Sequence, residues 1–88
     1  MIAAVILIEA VPTRVAELAE QLVEIKGVAE AYSVTGEYDL VAMVRVKAHE
    51  DLANVVTHGI AQLDGVQRPH TLVAFRAYRA ADYDWEVS

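Results

Sequence analysis

The chain has 88 residues, 56% of them hydrophobic, and a formal net charge of -6 from thirteen carboxylates against seven Lys and Arg. That length holds one domain, which buries little more than ~60% of the surface its unfolded form exposes, while the apolar content exceeds the ~45–50% of an ordinary soluble domain. The seven basic residues are scattered singly, which excludes an electrostatic footprint for DNA or RNA, and the absence of Cys excludes disulfides and thiolate chemistry. More apolar side chains than one small interior absorbs points to a second copy as cover. Met1 to Ile8 is apolar but short, with no positive n-region and no small-residue cleavage site. It reads as neither a signal peptide nor a membrane span, and the cytoplasm is the default location.

In chain order, Ile2 to Glu9 (IAAVILIE) is rich in β-branched residues and too short for a long helix, which predicts a strand. After Pro12 and Thr13, the residues Val15, Leu18, Ala19, Leu22 and Ile25 recur at helical spacing while Glu17, Glu20 and Glu24 fall elsewhere. Gly27 is the expected left-handed stop of this helix. Val28 to Thr35 is a second strand and Leu40 to Val46 (LVAMVRV) a third. His49, Glu50 and Asp51 open a second helix, where acids suit the positive end of the dipole. Leu52, Val55, Val56, Gly59, Ile60 and Leu63 form its apolar face, Gly65 ends it, and Thr71 to Tyr78 (TLVAFRAY) is the expected fourth strand. Residues 1–78 make the domain, and residues 79–88 make a tail carrying Asp82, Tyr83, Asp84, Trp85 and Glu86. An acidic aromatic tail either frays or docks Trp85 on another subunit, and both readings stay open.

Sliding the chain on itself by 38 positions lays Leu18 on Val56, Leu22 on Ile60, Ile25 on Leu63 and Gly27-Val28 on Gly65-Val66. One strand–helix–strand unit is therefore used twice. Two such units with right-handed crossovers interleave into a ferredoxin-like βαββαβ fold, a four-stranded antiparallel sheet with both helices on one face. The helix-free face should then alternate to polar residues where it meets water. Instead Ile2, Ala4, Ile6 and Ile8 lie on one side of the first strand and Ala3, Val5 and Leu7 on the other. The economical cover is the sheet of a second copy, a face-to-face dimeric α+β barrel.

The stretch SVTGEYDL, Ser33 to Leu40, joins the second and third strands and carries more polar chemistry than a turn requires. Gly36 suits a positive-φ turn position, and its bare backbone N–H also suits a carboxylate. Asp39 is either a turn-capping acid or a partner for an ammonium group. Tyr38 offers an apolar ring with a polar tip, and Glu37 reads as solvated. Thr71 is either an ordinary β-branched strand residue or a hydroxyl donor. The 38-residue shift places Ser33 opposite Thr71 and Tyr32 opposite His70, so equivalent positions of the two halves carry hydroxyls.

With its strand, helix, GVAEAYSVTGEYDLVAMVRV, second helix and LDGVQRPHTLVAF, the chain resembles the effector-binding (RAM) domain of the Lrp/AsnC family of leucine- and asparagine-responsive regulators, from Ile2 to about Tyr78. The resemblance implies a face-to-face homodimer, assembly into octamers or decamers, and a small amino acid bound where dimers meet. It implies effector contacts from the GxYD loop, here Gly36, Tyr38 and Asp39, and from a Thr-x-Thr element whose second Thr is Thr71 and whose first is replaced by Pro69. Ser33 and Thr35 in the loop and His70 beside Thr71 complete the expected ligand-binding set. Pro69 removes a hydroxyl and a backbone donor. Since Met1 leads straight into the first strand, the chain resembles the stand-alone versions that lack the helix-turn-helix half, acting through partners such as a full-length regulator rather than directly on nucleic acid.

No cofactor, metal site or catalytic residue is expected. His49, His58 and His70 show no metal-ligand spacing, and no Ser–His–Asp or paired-carboxylate set can be assigned. The alternatives are a small cofactor-free monooxygenase or isomerase of the dimeric barrel type, which would need an acid–base group between sheet and helices, and a purely structural oligomerisation module.

Overall fold

The computed structural model describes residues 1–78 and residue 80; the alternatives for the acidic aromatic tail fall outside the described residues. Strand β1 (Ile2–Ala10) is followed by a 3-10 turn (Pro12–Arg14), helix α1 (Val15–Leu22) and strands β2 (Val28–Ser33) and β3 (Leu40–Val46). Helix α2 (His49–Asn54) continues through a π turn (Val55–Gly59) and a 3-10 turn (Ile60–Gln62) to strand β4 (Val66–Val73). The strands form one antiparallel sheet in the order β2-β3-β1-β4, the expected ferredoxin-like arrangement.

The core lies between one face of this sheet and the helical layer. Alternation selects it: Ala4, Ile6, Ile8 and Ala10 of β1 and Leu40, Ala42, Val44 and Val46 of β3 are buried together with Leu18, Leu22, Leu52, Val55 and Ile60. A fully buried Leu or Ile is worth about 1.5–3 kcal/mol. The small Ala residues at the centre of both middle strands let the helices approach the sheet closely.

The internal repeat survives in the backbone. Gly27 and Gly65 take φ of 103° and 105°, and each strand that follows has one bulged residue. The β2–β3 register skips between Val28 and Glu30, and the β1–β4 register places Arg68 on Glu9 but Val66 on Ala10. The extra residues are Ala29 and Gln67, which are 38 positions apart. A Cβ on Gly27 would stand 2.8 Å from Val55 Cγ2, and one on Gly65 would stand 3.2 Å from the Arg14 side chain. Arg14 in turn donates from Nη2 to the Asp64 carbonyl at 3.0 Å and pairs with Glu17, fastening the start of α1 to the turn before β4.

Four elements differ from the sequence reading: α1 ends at Leu22, short of Gly27, β2 ends at Ser33 rather than Thr35, and the second helix and β4 depart further. The second helix is not regular, because the Ile60 N–H is shared between the Val55 and Val56 carbonyls. The widened turn spaces the buried residues Leu52, Val55 and Ile60 three and then five apart. Gly59 makes the approach possible, since a Cβ there would meet Ile25 Cγ2 at 3.1 Å. Strand β4 begins at Val66 rather than Thr71 and ends at Val73, opposite Ala4; the Ala74 N–H still donates to the Ala3 carbonyl at 2.8 Å. Beyond that point β1 has no further partner to offer, so the apolar run to Tyr78 cannot stay in the ladder. Pro69 sits inside β4 opposite Ile8. The Ile8 carbonyl accepts from the Asp39 N–H on the β3 side, so Ile8 bonds away from β4, and the ring nitrogen of Pro69 faces the outer edge of the sheet, where no ladder donor is needed.

The other sheet face carries Val5, Leu7, Val41 and Met43 at its centre and Leu72, 47% exposed, toward one edge. Near the opposite edge the Tyr32 hydroxyl donates to Glu30 Oε1 at 2.8 Å, and this bond to a carboxylate raises the Tyr32 pKa above its ordinary 10.0.

Gly27→Ala combines a positive-φ strain with a clash against Val55 and is expected to cost ~2–5 kcal/mol. Gly36→Ala, at φ 118° with no neighbouring atom within 4 Å, is expected to cost only the backbone strain, ~1–2 kcal/mol. Urea denaturation of the two variants checks the contrast; equal losses would show that Gly27 is not packed as described.

Candidate functional site

The loop after β2 is held at both of its ends. The Val34 N–H donates to the Asp39 carbonyl at 3.0 Å and closes the turn, and Gly36 at its exposed tip supplies the positive φ. The Asp39 N–H donates to the Ile8 carbonyl at 2.9 Å, and the Ala10 N–H donates to Asp39 Oδ2 at 2.8 Å. The side chain of Asp39 thus takes the place of a backbone carbonyl and extends the β1–β3 ladder by one bond. Its capping role, one of the two readings from sequence, is visible directly. Oδ1 has no donor among the described residues.

This anchoring carries Tyr38 across the end of the sheet to β4. Its ring centroid lies 6.3 Å from that of His70, with the planes tilted by 57°. Tyr38 and Asp39 are half-buried, whereas Gly36, Glu37, Thr35 and His70 are exposed. Pro69 stands opposite Ile8, the residue whose carbonyl holds Asp39. Tyr38, Asp39 and His70 therefore come together at one end of the sheet.

Ser33 and Thr71 do not join each other. Ser33 ends β2 opposite Leu40, and Thr71 lies in β4 opposite Ile6. These are the two edge strands, about 14 Å apart across three strand spacings. The repeat gives them equivalent positions in the two halves and for that reason puts them on opposite edges.

The cluster offers a half-used carboxylate, a phenol, an imidazole and open backbone N–H groups around Gly36, all at the rim of the sheet. Such a set can hold a small zwitterion. It contains no enclosed nucleophile–base pair, and the buried residues between sheet and helices are all hydrophobic. His70 is exposed on β4, and His58, exposed on the π turn, lines an open groove beside Gly59 and Val55. Among the described residues no group of three or more His, Asp or Glu side chains could hold a metal ion, and no helix is long and apolar enough to cross a membrane.

Sequence reasoning missed a concave surface at the opposite end of the sheet. A groove of about 650 Å³ gathers Lys26, Arg45 and Lys47, three of the basic residues that read as scattered. The signal was available in the strand pairing: the Arg45 N–H donates to the Gly27 carbonyl at 2.9 Å, so any chain that pairs β2 with β3 brings Lys26 beside the end of β3.

The chain is similar to proteins of known sequence and structure. The Lrp/AsnC ligand binding domain matches residues 3–82. The HTH-type transcriptional regulator FL11 of Pyrococcus furiosus is 32% identical over 78 residues, which cover 89% of this chain and 51% of FL11. The chain thus spans about half the length of the curated relatives it matches. The crystal structure of TTHA0845 from Thermus thermophilus is 55% identical, with a TM-score of 0.86 over 91% of this chain and 100% of that one. The feast or famine regulatory protein Rv3291c of M. tuberculosis, solved in complex with L-methionine, is 22% identical and shares the fold at a TM-score of 0.75 over 92% of this chain and 54% of its own.

Asp39→Ala is expected to lower stability by ~1.5–3 kcal/mol, the range for a hydrogen bond to a charged group. Asp39→Asn keeps an acceptor for the Ala10 N–H and should lose less. Thermal and urea unfolding measure both; equal losses would mean that the bond to Ala10 contributes nothing.

Proposed function

The chain belongs to the Lrp/AsnC ligand-binding domain family, and from that premise we propose that it is a non-enzymatic sensor of a small amino acid. In this reading it forms a homo-oligomer, binds the effector at the end of its sheet, and passes the ligand state to a partner such as a full-length regulator of the same family. The DNA-reading half then resides outside these 88 residues.

The observation that carries the reading is the Tyr38–Asp39 loop, fixed onto β1 through Ile8 and Ala10 yet presenting its polar atoms outward. Asp39 Oδ1 faces the effector's ammonium group, and the backbone around Gly36 with the Thr71 hydroxyl serves its carboxylate. Ser33, Thr35 and His70 border the site. The L-methionine bound by Rv3291c supports the ligand class. Pro69 contributes neither hydroxyl nor N–H, so the loop supplies most of the polar contacts.

Homodimerisation follows from the second apolar face. Val5, Leu7, Val41 and Met43 line a sheet surface that no helix among the described residues covers, and a second sheet packed on it buries that surface at the ~10 Å spacing of stacked sheets. Association of such dimers into an octamer or decamer brings loop ends of neighbouring dimers together and encloses the effector. The monooxygenase-type alternative is the weaker reading, because the buried side chains between sheet and helices are all hydrophobic and the titratable groups His58 and Asp51 line an open groove rather than an enclosed pocket.

Thermal shift against the twenty amino acids tests the sensor. An effector at about 100 times its dissociation constant should stabilise the protein by ~2.7 kcal/mol, and a flat response to all of them overturns the assignment. Leu7→Glu places a charge in the centre of the proposed sheet-to-sheet contact and should convert dimers to monomers in sedimentation velocity. Persistence of dimers in that variant would place the contact elsewhere.

A further inference from the structure

The groove at the far end of the sheet lies between α2 and the turn that precedes β2, over an apolar floor of Ile25, Val46 and Val55. Gly27 lets the turn come down onto this floor, since a Cβ there would stand 2.8 Å from Val55 Cγ2 and 3.2 Å from Val46 Cγ1. One wall is a stripe of α2 and its π turn. Asp51, Asn54 and His58 recur at spacings of three and four, beside the buried Val55, and run ~10 Å along the helix. A single widened turn interrupts the regular hydrogen-bond ladder, and such turns concentrate at functional sites. This one presents Val55, His58 and Gly59 to the groove.

The rest of the rim carries Lys26 and Lys47. The bond from the Arg45 N–H to the Gly27 carbonyl draws the turn that holds Lys26 alongside the end of β3. Lys47 follows Val46, the last residue of that strand. Arg45 itself takes no part: it alternates with the buried Val44 and Val46 onto the opposite face of the sheet, where its charge bears on Tyr32. Neither lysine has an ion-pair partner among the described residues. Asp51 is the groove's one carboxylate, and its Oδ2 accepts the Ala48 N–H at 3.3 Å, which commits it to the start of α2. The groove thus holds more positive than negative charge in a chain whose net charge is -6.

Small-molecule sites are typically apolar concavities of ~300–1,000 Å³ with a few convergent polar groups, and this groove, at about 650 Å³, falls in that range. We propose that it binds a small aliphatic carboxylate. The chain of the ligand lies on Ile25, Val46 and Val55, its carboxylate meets Lys26 and Lys47, and Asn54 and His58 offer N–H donors along the wall. Charge complementarity selects a carboxylate over an amine or a free amino acid, because an ammonium group would face both lysines with only the committed Asp51 to receive it. Val46 is seven residues along β3 from Asp39, roughly 20 Å. The groove is therefore separate from the effector site proposed above, and neither depends on the other.

Isothermal titration calorimetry of the whole protein with octanoate checks the assignment, with hexanoate and octanol beside it. Octanoate is expected to bind, hexanoate more weakly by about two- to fourfold for each missing CH₂, and octanol far more weakly than either. Lys26→Gln/Lys47→Gln should weaken octanoate by about fivefold. Asn54→Trp, which fills the groove from the wall, should abolish its binding. All three positions are exposed, so neither variant puts folding at risk. Absence of octanoate binding, octanol binding as tightly as octanoate, or an octanoate affinity unchanged in both variants overturns the proposal.

Discussion

Strand β1 is apolar on both of its faces, and the chain contains enough helix to cover only one. Most of the architecture answers to that constraint. On the covered side the even-numbered residues from Ala4 to Ala10 meet α1 and α2, and the small residues among them set how closely the helices approach. On the other side Val5 and Leu7 stand beside Val41 and Met43, a surface whose exposure in water costs roughly 25 cal/mol for each Å² of apolar area. Because β1 is central, flanked by β3 and β4, that surface cannot be tucked away at an edge. Self-association is the cheapest remedy for a chain of this length.

Most of the fold was legible because it depends on period and repetition. Alternation in Leu40 to Val46 specified strand β3 to the residue, and the 38-residue repeat specified topology before any pairing was known. What stayed hidden was set by contacts between distant residues. The π turn brings Gly59 against Ile25, a neighbour 34 positions away that no window over α2 contains. Strand β4 cannot run on to Tyr78 because its partner β1 begins at Ile2, two residues before the Ala4 that faces Val73, although the local sequence favours a strand that far.

The loop Ser33 to Leu40 was legible by composition and opaque in geometry. Its residues announced a polar turn, and the structure shows that one of them is shared between two tasks. Asp39 uses Oδ2 to complete the ladder beside Ala10, leaving Oδ1 for anything that approaches from outside. In the proposed sensor, stability and recognition draw on the same carboxylate, so a loss of binding in an Asp39 variant is informative only beside its unfolding curve. The equivalence of Ser33 and Thr71 misled in the opposite way: internal symmetry relates the two positions, and that symmetry is what keeps them on separate edges.

Pro69 has a consequence beyond the proposed effector site. Its nitrogen faces outward from an edge strand, so the row of donors that a passing β-strand would need is interrupted midway along β4. An apolar sheet in a small chain is otherwise a template for runaway strand addition, and fibres grow from such edges. With that edge broken, growth by continuous hydrogen-bonded sheet is discouraged there, whatever forms through the faces of the sheet.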